Sequence, residues 1–131
     1  MKLLHHTLDS ANLRRAWVAV GANEGAAGVD HETIAVWGRN WEARLVALAA
    51  DVRAGLYRPS QLRERRVPKA TGDELRLLRI PTVTDRVLQR AVLQVLHPIM
   101  EPRFLPCSYG YRPGRGVADA VRAITHLRRR Q

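Results

Sequence analysis

The sequence predicts an α+β fold that is mostly helical and contains one short antiparallel β-hairpin. Apolar residues recur every three to four positions along four segments, which is the period of an amphipathic helix. Between the second and third segments, two β-capable runs flank a Gly-Asp dipeptide, and this arrangement predicts a hairpin turn. The chain has 131 residues, 46% of them hydrophobic, which suits one domain with a core of its own.

A helix and a glycine-containing loop are predicted at the start of the chain. Asp9 or Ser10 can cap the helix, whose apolar stripe continues to about Gly21. Residues 23–30 then interrupt the stripe with two glycines among small residues. Because glycine has no side chain, this loop can bring its backbone close to another group; the alternative is an ordinary connector between helices.

A second, longer helix is predicted after this loop. Asp30 is the expected N-cap, and Gly55 is expected to end the helix in the C′ position. Gly38 lies inside the segment, where glycine costs roughly 1 kcal/mol relative to alanine, so a close contact is expected there. The apolar stripe, which we assign to the core, is formed by Ile34, Trp37, Trp41, Leu45, Leu48 and Val52.

The predicted hairpin occupies residues 57–82, with its turn at residues 71–74. A two-residue turn centred in that tetrapeptide places Lys69 directly across from Arg76. Two like charges at about 5 Å repel each other, so the pair is easier to explain if an anion such as a polyphosphate lies between them. The alternative is a solvated hairpin whose cations guard an exposed strand edge, and on the residues alone it is the preferred interpretation.

The remaining residues, 83–131, are predicted to form two helices with a long loop between them. Thr84 can cap the first helix, which is apolar around most of its circumference to about Leu96, so we expect it to be the buried central helix. The loop at residues 104–116 combines tyrosine, arginine and glycine, which suit stacking on bases, binding of phosphates and close approach of a strand. The last helix begins at about Val117.

The charge of the chain is strongly positive. Its 22 Lys and Arg residues outnumber 12 Asp and Glu residues, which gives a formal charge of +10. This balance suggests a polyanionic partner such as nucleic acid, and the alternative is a basic protein without such a partner. The single cysteine, Cys107, excludes an internal disulfide and fits a reducing, cytoplasmic setting. No apolar run approaches the length of a membrane span, so no membrane partner is expected.

Four short motifs follow one another along the chain. Residues 23–30 read Asn-Glu-Gly-Ala-Ala-Gly-Val-Asp, and residues 55–59 read Gly-Leu-Tyr-Arg-Pro. Residues 76–82 read Arg-Leu-Leu-Arg-Ile-Pro-Thr, and residues 108–115 read Ser-Tyr-Gly-Tyr-Arg-Pro-Gly-Arg. Each motif alone is weak, but the ordered set resembles the N-terminal fingers part of the group II intron-type (retron-like) reverse transcriptases, the intron maturase family. The family has Lys, Pro and Gly where this chain has Glu24, Leu77 and Arg79.

The resemblance implies that the chain is a fingers region, with helices packed around the hairpin. In this family the matching lysine and arginine of the hairpin contact the phosphates of the incoming dNTP. That match assigns Lys69 and Arg76 to nucleotide binding and replaces the preference for a solvated edge. It also implies that RNA template and primer lie near the residues that match the other motifs. These are Asn23, Gly25, Gly28, Arg58, Arg63, Ser108, Tyr109, Gly110, Arg112 and Arg115.

The resemblance further implies parts that the sequence does not contain. The family holds two metal ions with aspartates of a palm region, on a strand after the last helix and on a later Tyr-x-Asp-Asp hairpin. The chain ends at Gln131 before either of them and has no Asp-Asp pair; Asp85 and Asp119 are interpreted as a helix cap and a surface residue. We therefore expect no catalytic residue, metal site or cofactor in this chain, and Mg²⁺ only together with the missing palm.

These expectations define residues 1–131 as one partial domain. Its parts are a helical N-terminal region at residues 1–56, the fingers hairpin at 57–82, and the core helix, loop and last helix at 83–131. We expect it to bind template–primer and nucleotide but to be inactive as a polymerase alone, with palm and thumb as missing partners. Two alternatives remain: a stand-alone RNA-binding module, and one half of a split reverse transcriptase that a separate palm chain completes.

Overall fold

The computed structural model describes residues 2–70 and 74–129, and within them it contains helices and one two-stranded antiparallel sheet. The predicted α+β class is therefore confirmed. The chain divides into two compact units, Met1–Val95 and Leu96–Gln131, which we call the first and the second unit. In the part of the chain that the structure describes, no helix is both long enough and apolar enough to cross a membrane.

The first unit begins with four helices: α1 (Lys2–Thr7), α2 (Ser10–Ala22), α3 (Ile34–Gly38) and α4 (Trp41–Arg53). Helix α2 is the first helix predicted from the sequence, and its predicted cap is confirmed. The carboxylate of Asp9 accepts hydrogen bonds from the N–H groups of Ala11 and Asn12. Helix α1 is not predicted from the sequence, because its six residues are too few to show an apolar period.

The prediction of one long second helix is wrong, because the segment forms two helices, α3 and α4. The hydroxyl of Thr33 caps α3, whereas Asp30 lies outside the helix and accepts from the N–H of Glu32. The break follows Gly38, where an added Cβ would lie 3.0 Å from the ring of Trp17. The close contact expected at this glycine is thus confirmed, and the helix ends at a residue with poor helix propensity.

Gly55 occupies the C′ position after α4, as predicted, and it has a left-handed backbone with φ of 71°. The N–H of Leu56 donates to the carbonyl of Asp51 at 2.9 Å, and the N–H of Gly55 donates to the carbonyl of Val52 at 3.2 Å. These two bonds form a Schellman motif, which satisfies carbonyl groups that the helix itself leaves unpaired.

The predicted hairpin is present. Strands β1 (Arg63–Pro68) and β2 (Leu75–Ile80) pair in antiparallel fashion, with Arg63 opposite Ile80 and Pro68 opposite Leu75. Three residues of the predicted turn, 71–73, lie outside the described residues. The half-buried side chains of the two strands share one face, which is formed by Arg63, Val67, Leu78 and Ile80.

Helix α5 (Val83–Met100) follows the hairpin, and Thr82 rather than the predicted Thr84 caps it. The N–H of Asp85 donates to the hydroxyl of Thr82 at 3.2 Å. The hydroxyl of Thr84 instead accepts from the indole N–H of Trp37 at 2.9 Å, which joins α5 to α3. A Thr-x-x-Asp pattern before an apolar run is the local signal that identifies Thr82 as the cap.

Only one side of α5 is buried, which contradicts the expectation of a helix buried around its circumference. Val83, Val87 and Ala91 are fully buried, and their spacing of four residues makes them one stripe. The helix continues through Pro98 to Met100, beyond the end predicted at about Leu96. The exposed large apolar residues of α5 are Val92, Leu93, Leu96, Ile99 and Met100.

The core of the first unit forms where this stripe packs with residues of the preceding helices. Trp37 is 1% exposed, and the centroids of its ring and the ring of Trp17 are 4.6 Å apart. The buried side chain of Asn12 connects α2 to α5 by donating to the carbonyl of Ala91 at 3.1 Å. The buried apolar residues are Leu8, Leu13, Ala16, Val20, Trp37, Leu45, Leu48, Ala49, Val83, Val87 and Ala91.

The second unit contains the end of α5, a 3-10 turn (Glu101–Arg103), a loop and helix α6 (Val117–Arg128), which begins at the predicted residue. No residue that the structure describes in this unit is buried. The apolar face predicted for α6 is exposed to a large extent, and Val117 at its start is 82% exposed. The second unit is therefore not built around an apolar core in the way the first unit is.

Candidate nucleic-acid interface

The loop at residues 23–30 packs its backbone tightly against the end of the hairpin, as the sequence predicts. An added Cβ on Gly28 would lie 2.7 Å from the backbone N and Cα of Thr82, so only glycine fits at this position. A Cβ on Gly25 would overlap the guanidinium of Arg86. Packing against backbone thus requires glycine at position 28, whereas at position 25 a side chain would displace the mobile end of Arg86. The predicted contact of each glycine with template or primer stays a prediction.

Two arginines hold the same loop by its carbonyl groups. Arg63 of β1 donates to the carbonyl of Ala27 at 3.2 Å, and Arg86 of α5 donates to the carbonyl of Ala26 at 2.8 Å. Burial lowers the pKa of Arg86, an effect that the nearby charge of Asp30 partly opposes. Arg63 was proposed from the sequence as a template contact, and here it has an internal partner; Arg86 was not singled out as a site residue.

Asp85, at the start of α5, connects the two ends of the hairpin. One carboxylate oxygen accepts from the hydroxyl of Tyr57, which precedes the hairpin. The other accepts from the hydroxyl of Thr82 at 2.8 Å and from the N–H of Ser60 at 3.2 Å. Burial, and next the neighbouring carboxylate, raises the pKa of Tyr57 well above its ordinary value, so its hydroxyl remains a donor.

The role of Asp85 differs from the one the sequence suggests. Beyond its position in the first turn of a helix, it is a buried acceptor that orients the segments before and after the hairpin. Tyr57 and Ser60 lie 28 and 25 residues away along the chain, so no local pattern indicates this contact.

The predicted alignment of Lys69 with Arg76 is wrong by two residues. Arg76 lies opposite Val67, and the N–H of Lys69 donates to the carbonyl of Glu74 at 2.8 Å. The ammonium of Lys69 pairs with the carboxylate of Glu74. The observed register therefore places opposite charges across the strands, which is favourable, instead of the like charges that the shorter turn would impose.

Lys69 and Arg76 nevertheless share a face of the hairpin. Side chains alternate between the two faces of a strand. Arg65 and Lys69 are each two residues from Val67, and Arg76 lies opposite Val67 on the other strand, so all three side chains project to the face that carries Val67. The opposite face carries Arg79, which pairs with Glu64 at 3.3 Å. The two cations proposed to bind phosphates are diagonal neighbours, at a distance that long side chains can bridge.

Asn23 lies at the end of α2, and Arg58 lies in the segment between α4 and β1. Asn23 is the C-cap of α2, and its N–H donates to the carbonyl of Val20 at 3.3 Å. Arg58 is exposed and donates to the carbonyls of Gly55 and Tyr57 at 2.9 and 2.8 Å. Both side chains are at the surface, where they remain candidates for nucleic-acid contact.

In the second unit, the loop at residues 104–116 is organised around Arg112. The side chain of Arg112 is 8% exposed, and its guanidinium pairs with the carboxylate of Glu101 at 2.9 Å. It also donates to the carbonyls of Leu105 and Ser108 at 3.0 and 2.9 Å. Sequence reasoning assigned Arg112 to template or primer and missed Glu101; the geometry makes Arg112 a support of the loop through which such contacts would be made.

The other predicted residues of this loop are more accessible. Arg115 lies over the ring of Tyr109 at 5.7 Å and donates to the carbonyl of Pro106 at 2.5 Å. Gly110 has open space where a side chain would begin. Tyr111, which sequence reasoning did not select, has a fully exposed ring and a positive φ of 56°, a strained backbone for an aromatic residue. An exposed ring of this kind offers a stacking surface to a base.

The acidic side chains of the described residues do not assemble a metal site. Residues 2–70 and 74–129 contain no group of three or more His, Cys, Asp and Glu side chains that could hold an ion. The carboxylate of Asp85 is occupied by the donors described above, and Asp119 of the second unit accepts from the N–H of Gly116 and pairs with Arg122.

Comparison with known proteins gives several similar sequences. The chain is 41% identical over 80 residues to the protein YkfC of Escherichia coli (strain K12), which is 61% of this chain and 21% of YkfC. It is 34% identical over 83 residues to the group II intron-encoded protein LtrA of Lactococcus lactis subsp. cremoris, which is 63% of this chain and 14% of LtrA. No family model matches the chain.

A third similar sequence is nuclear intron maturase 1, mitochondrial, of Arabidopsis thaliana, with 41% identity over 44 residues, or 34% of this chain and 6% of that protein. The matched region thus spans about a fifth or less of each of these proteins. Two of the three names refer to introns, so the similarities support the intron maturase and reverse transcriptase family that the motifs resemble.

Proposed function

We propose that the chain is a fingers part of a group II intron-type reverse transcriptase and binds an RNA template–primer together with the phosphates of an incoming nucleotide. The similarity to LtrA over 83 residues supports the family. The geometry that favours phosphate binding is the single hairpin face that carries Arg65, Lys69 and Arg76. Its base is fixed to the glycine loop and to α5, so the cations are presented on a defined support.

Binding of nucleic acid is supported by the charge and by the second loop region. The formal charge of +10 favours a polyanion, and association with RNA then releases counterions from neutralised phosphates. In the second unit, Tyr109, Tyr111 and Arg115 combine aromatic rings with a guanidinium. Arg112 contributes by holding the loop, because its donors are committed to Glu101 and to loop carbonyls.

We further propose that these residues do not polymerise by themselves and that a palm region supplies Mg²⁺ together with its ligands. Two-metal chemistry needs carboxylates that are free to coordinate, and the described residues offer no such cluster. Asp85 faces neutral hydrogen-bond donors, and Asp119 is occupied by Gly116 and Arg122. The described residues thus lack a cluster of three or more ligating side chains, and the ligands for the two metal ions are assigned to the palm.

A second candidate is one half of a split enzyme completed by a separate palm chain, and helix α6 is the observation that favours it. Its apolar face is exposed along its length, with Val117, Val121, Ile124 and Leu127 all more than half exposed. Exposed apolar stripes of this size favour a covering partner. Co-purification with a separately expressed palm region distinguishes this candidate from a stand-alone RNA-binding module.

The test of the proposed function is the affinity of residues 1–131 for fluorescein-labelled RNA and for an RNA template annealed to a primer, measured by fluorescence anisotropy. We expect the logarithm of the affinity to fall with the logarithm of salt concentration, with a slope of about 0.7 for each phosphate neutralised on a single strand. Binding that is absent at low salt, or that does not change with salt, contradicts the proposal.

Nucleotide binding is tested by a matched pair of substitutions on one strand. Arg76→Ala removes a cation from the proposed phosphate face, and Arg79→Ala removes the same charge from the opposite face. We expect the shifts that a nucleoside triphosphate induces in NMR spectra to be lost with Arg76→Ala and kept with Arg79→Ala. Arg76→Lys should restore part of the binding, because a point charge cannot replace a bidentate fork. If the two alanine variants lost these induced shifts equally, the triphosphate would respond to the net charge of the hairpin and not to the proposed face.

A further inference from the structure

The hydrogen bonds of the loop at residues 23–30 are unevenly distributed between its carbonyl and N–H groups. Three successive carbonyls are occupied: Ala26 by Arg86, Ala27 by Arg63 and Gly28 by the N–H of His31. By contrast, no residue that the structure describes accepts a hydrogen bond from the backbone N–H groups of residues 25–29. The loop is therefore held from its carbonyl side and keeps a run of unpaired donors.

Such a run of donors suits an anion. Backbone N–H groups bind phosphate oxygens wherever a chain presents several of them together. Within this run, Ala26 and Val29 are exposed, Gly25 and Ala27 are half-buried, and Gly28 is buried. The neutral donors add hydrogen bonds to a strand that the basic surface attracts. Phosphate binding by the loop depends on the direction in which its peptide groups face, because a rotated peptide would present a carbonyl oxygen, which repels phosphate.

The side chain of Arg86 contacts the loop at two successive residues. Its guanidinium occupies the volume that a side chain on Gly25 would need, and one of its amino groups donates to the carbonyl of the following residue, Ala26, at 2.8 Å. The Nε atom of Arg86 is buried without a partner among the described residues. The side chain of Arg86 is thus half-buried, and its guanidinium is already engaged by the loop.

We propose that Arg86 is a positioning residue that holds the loop at residues 23–30 so that its backbone N–H groups bind phosphates of RNA. The inference rests on the proposed function for its ligand and adds a role for a residue that does not itself contact the strand. Arg63 also holds the loop, by its hydrogen bond to the carbonyl of Ala27. Gly28 is a third point of contact, because it packs against the backbone of Thr82.

The first experiment measures loop order without RNA, by NMR relaxation of the backbone amides below the melting temperature. In the unsubstituted chain we expect order parameters of about 0.85 at residues 25–29, and in Arg86→Ala values below about 0.6. Arg90→Ala is the matched control, because Arg90 is an exposed arginine one turn further along α5. Order parameters that are the same in Arg86→Ala and in Arg90→Ala overturn the inference, whatever the RNA result.

The second experiment measures RNA affinity over a salt series. We expect Arg86→Ala to weaken binding roughly tenfold relative to Arg90→Ala, with the same salt slope as that control, because neutral N–H donors release no counterions. A slope smaller than that of the control by about 0.7 would instead identify Arg86 as a direct phosphate contact and overturn the positioning role.

A substitution that keeps every charge completes the test. Gly25→Ala displaces the guanidinium of Arg86, so it should weaken RNA binding with an unchanged slope and should have no further effect when combined with Arg86→Ala. Additive effects of the two substitutions would show that the new methyl group obstructs RNA directly, which contradicts the inference. If the unsubstituted chain binds no RNA, the proposed function and the phosphate role fail together, and the order parameters alone then decide whether Arg86 holds the loop.

Discussion

The two units of the chain are held together by different kinds of interaction. Among its described residues, the first unit encloses eleven buried apolar residues, all of them in helices except Leu8, which lies between α1 and α2. In the second unit no described residue is buried, and the loop before α6 is organised by the guanidinium of Arg112 and the carboxylate of Glu101. The difference teaches that the two candidate binding loops have different supports: the one at residues 23–30 is held against a unit that has an apolar core, by Arg63, Arg86 and the packing of Gly28, and the one at residues 104–116 is held mainly by the polar contacts of Arg112.

This difference has consequences for how each unit responds to change. An apolar core loses stability in proportion to the volume that a substitution removes, and the whole unit then unfolds cooperatively. A loop held by the contacts of one charged side chain opens locally when that side chain is removed, and the rest of the chain keeps its stability. The following substitutions separate the two behaviours.

The largest effect is expected from Trp37→Ala. Trp37 is almost fully buried, packs on Trp17 and donates to Thr84, so its truncation should lower the free energy of unfolding by about 3–5 kcal/mol. The measurement is chemical denaturation followed by circular dichroism. Leu105→Ala, at an exposed residue of the second unit, is the control and should change stability by less than about 0.5 kcal/mol. Similar losses in both variants would show that the first unit does not depend on this core.

The next effect is expected from Asp85→Asn. In the unsubstituted chain, hydroxyl and N–H donors share the carboxylate of Asp85. The substitution keeps the size of the side chain but replaces one acceptor oxygen by an amide NH₂ group, which should lower the free energy of unfolding by about 1.5–3 kcal/mol. The comparison is Asp119→Asn in the second unit, the same chemical change at an exposed site, which should cost less. A smaller loss for Asp85→Asn than for Asp119→Asn would show that the carboxylate of Asp85 is dispensable at the base of the hairpin.

Arg112→Ala should lower the free energy of local opening of the loop at residues 104–116 by about 1.5–3 kcal/mol, because hydrogen bonds to a charged group are lost. We expect faster amide hydrogen exchange at residues 104–116, an unchanged midpoint of global unfolding, and weaker binding of template–primer. Arg115→Ala removes the same charge from the same loop and should leave exchange nearly unchanged. If Arg112→Ala weakens RNA binding without changing exchange, Arg112 contacts the strand directly and the supporting role is wrong.

The smallest effect is a pH dependence of α6. The N–H of Gly116, followed by Arg122, lowers the pKa of Asp119 below its ordinary value. A carboxylate whose pKa is lower in the folded state stabilises that state above its ordinary pKa of about 3.9, and the contribution is lost as the pH falls through the folded value. Helix content at α6 should therefore decline only below about pH 4, as measured by NMR chemical shifts. In Asp119→Asn this decline should be absent; a decline of equal size would assign it to another group.

Much of the local structure follows from the sequence because it depends on neighbouring residues. Asp9 caps α2, Gly55 ends α4 in a left-handed conformation, and α6 begins at Val117, all as predicted. The strands of the hairpin, the tight packing of the glycine loop and the close contact at Gly38 were also predicted correctly. The cap and the left-handed glycine act within one turn of chain; for the glycine loop and Gly38 the sequence indicated only that a close contact exists and not that its partners are Thr82 and Trp17.

Tertiary structure alone decided the features that join distant parts of the chain. The guanidinium of Arg86 meets a carbonyl 60 residues away, and the carboxylate of Asp85 meets a tyrosine 28 residues away. The exposure of Val92 likewise depends on which side of α5 the other helices cover. The sequence determined which residues carry charge, bend the backbone or form helices. Which of them meet was decided by burial of the core, because packing acts on spatial neighbours and not on positions along the chain.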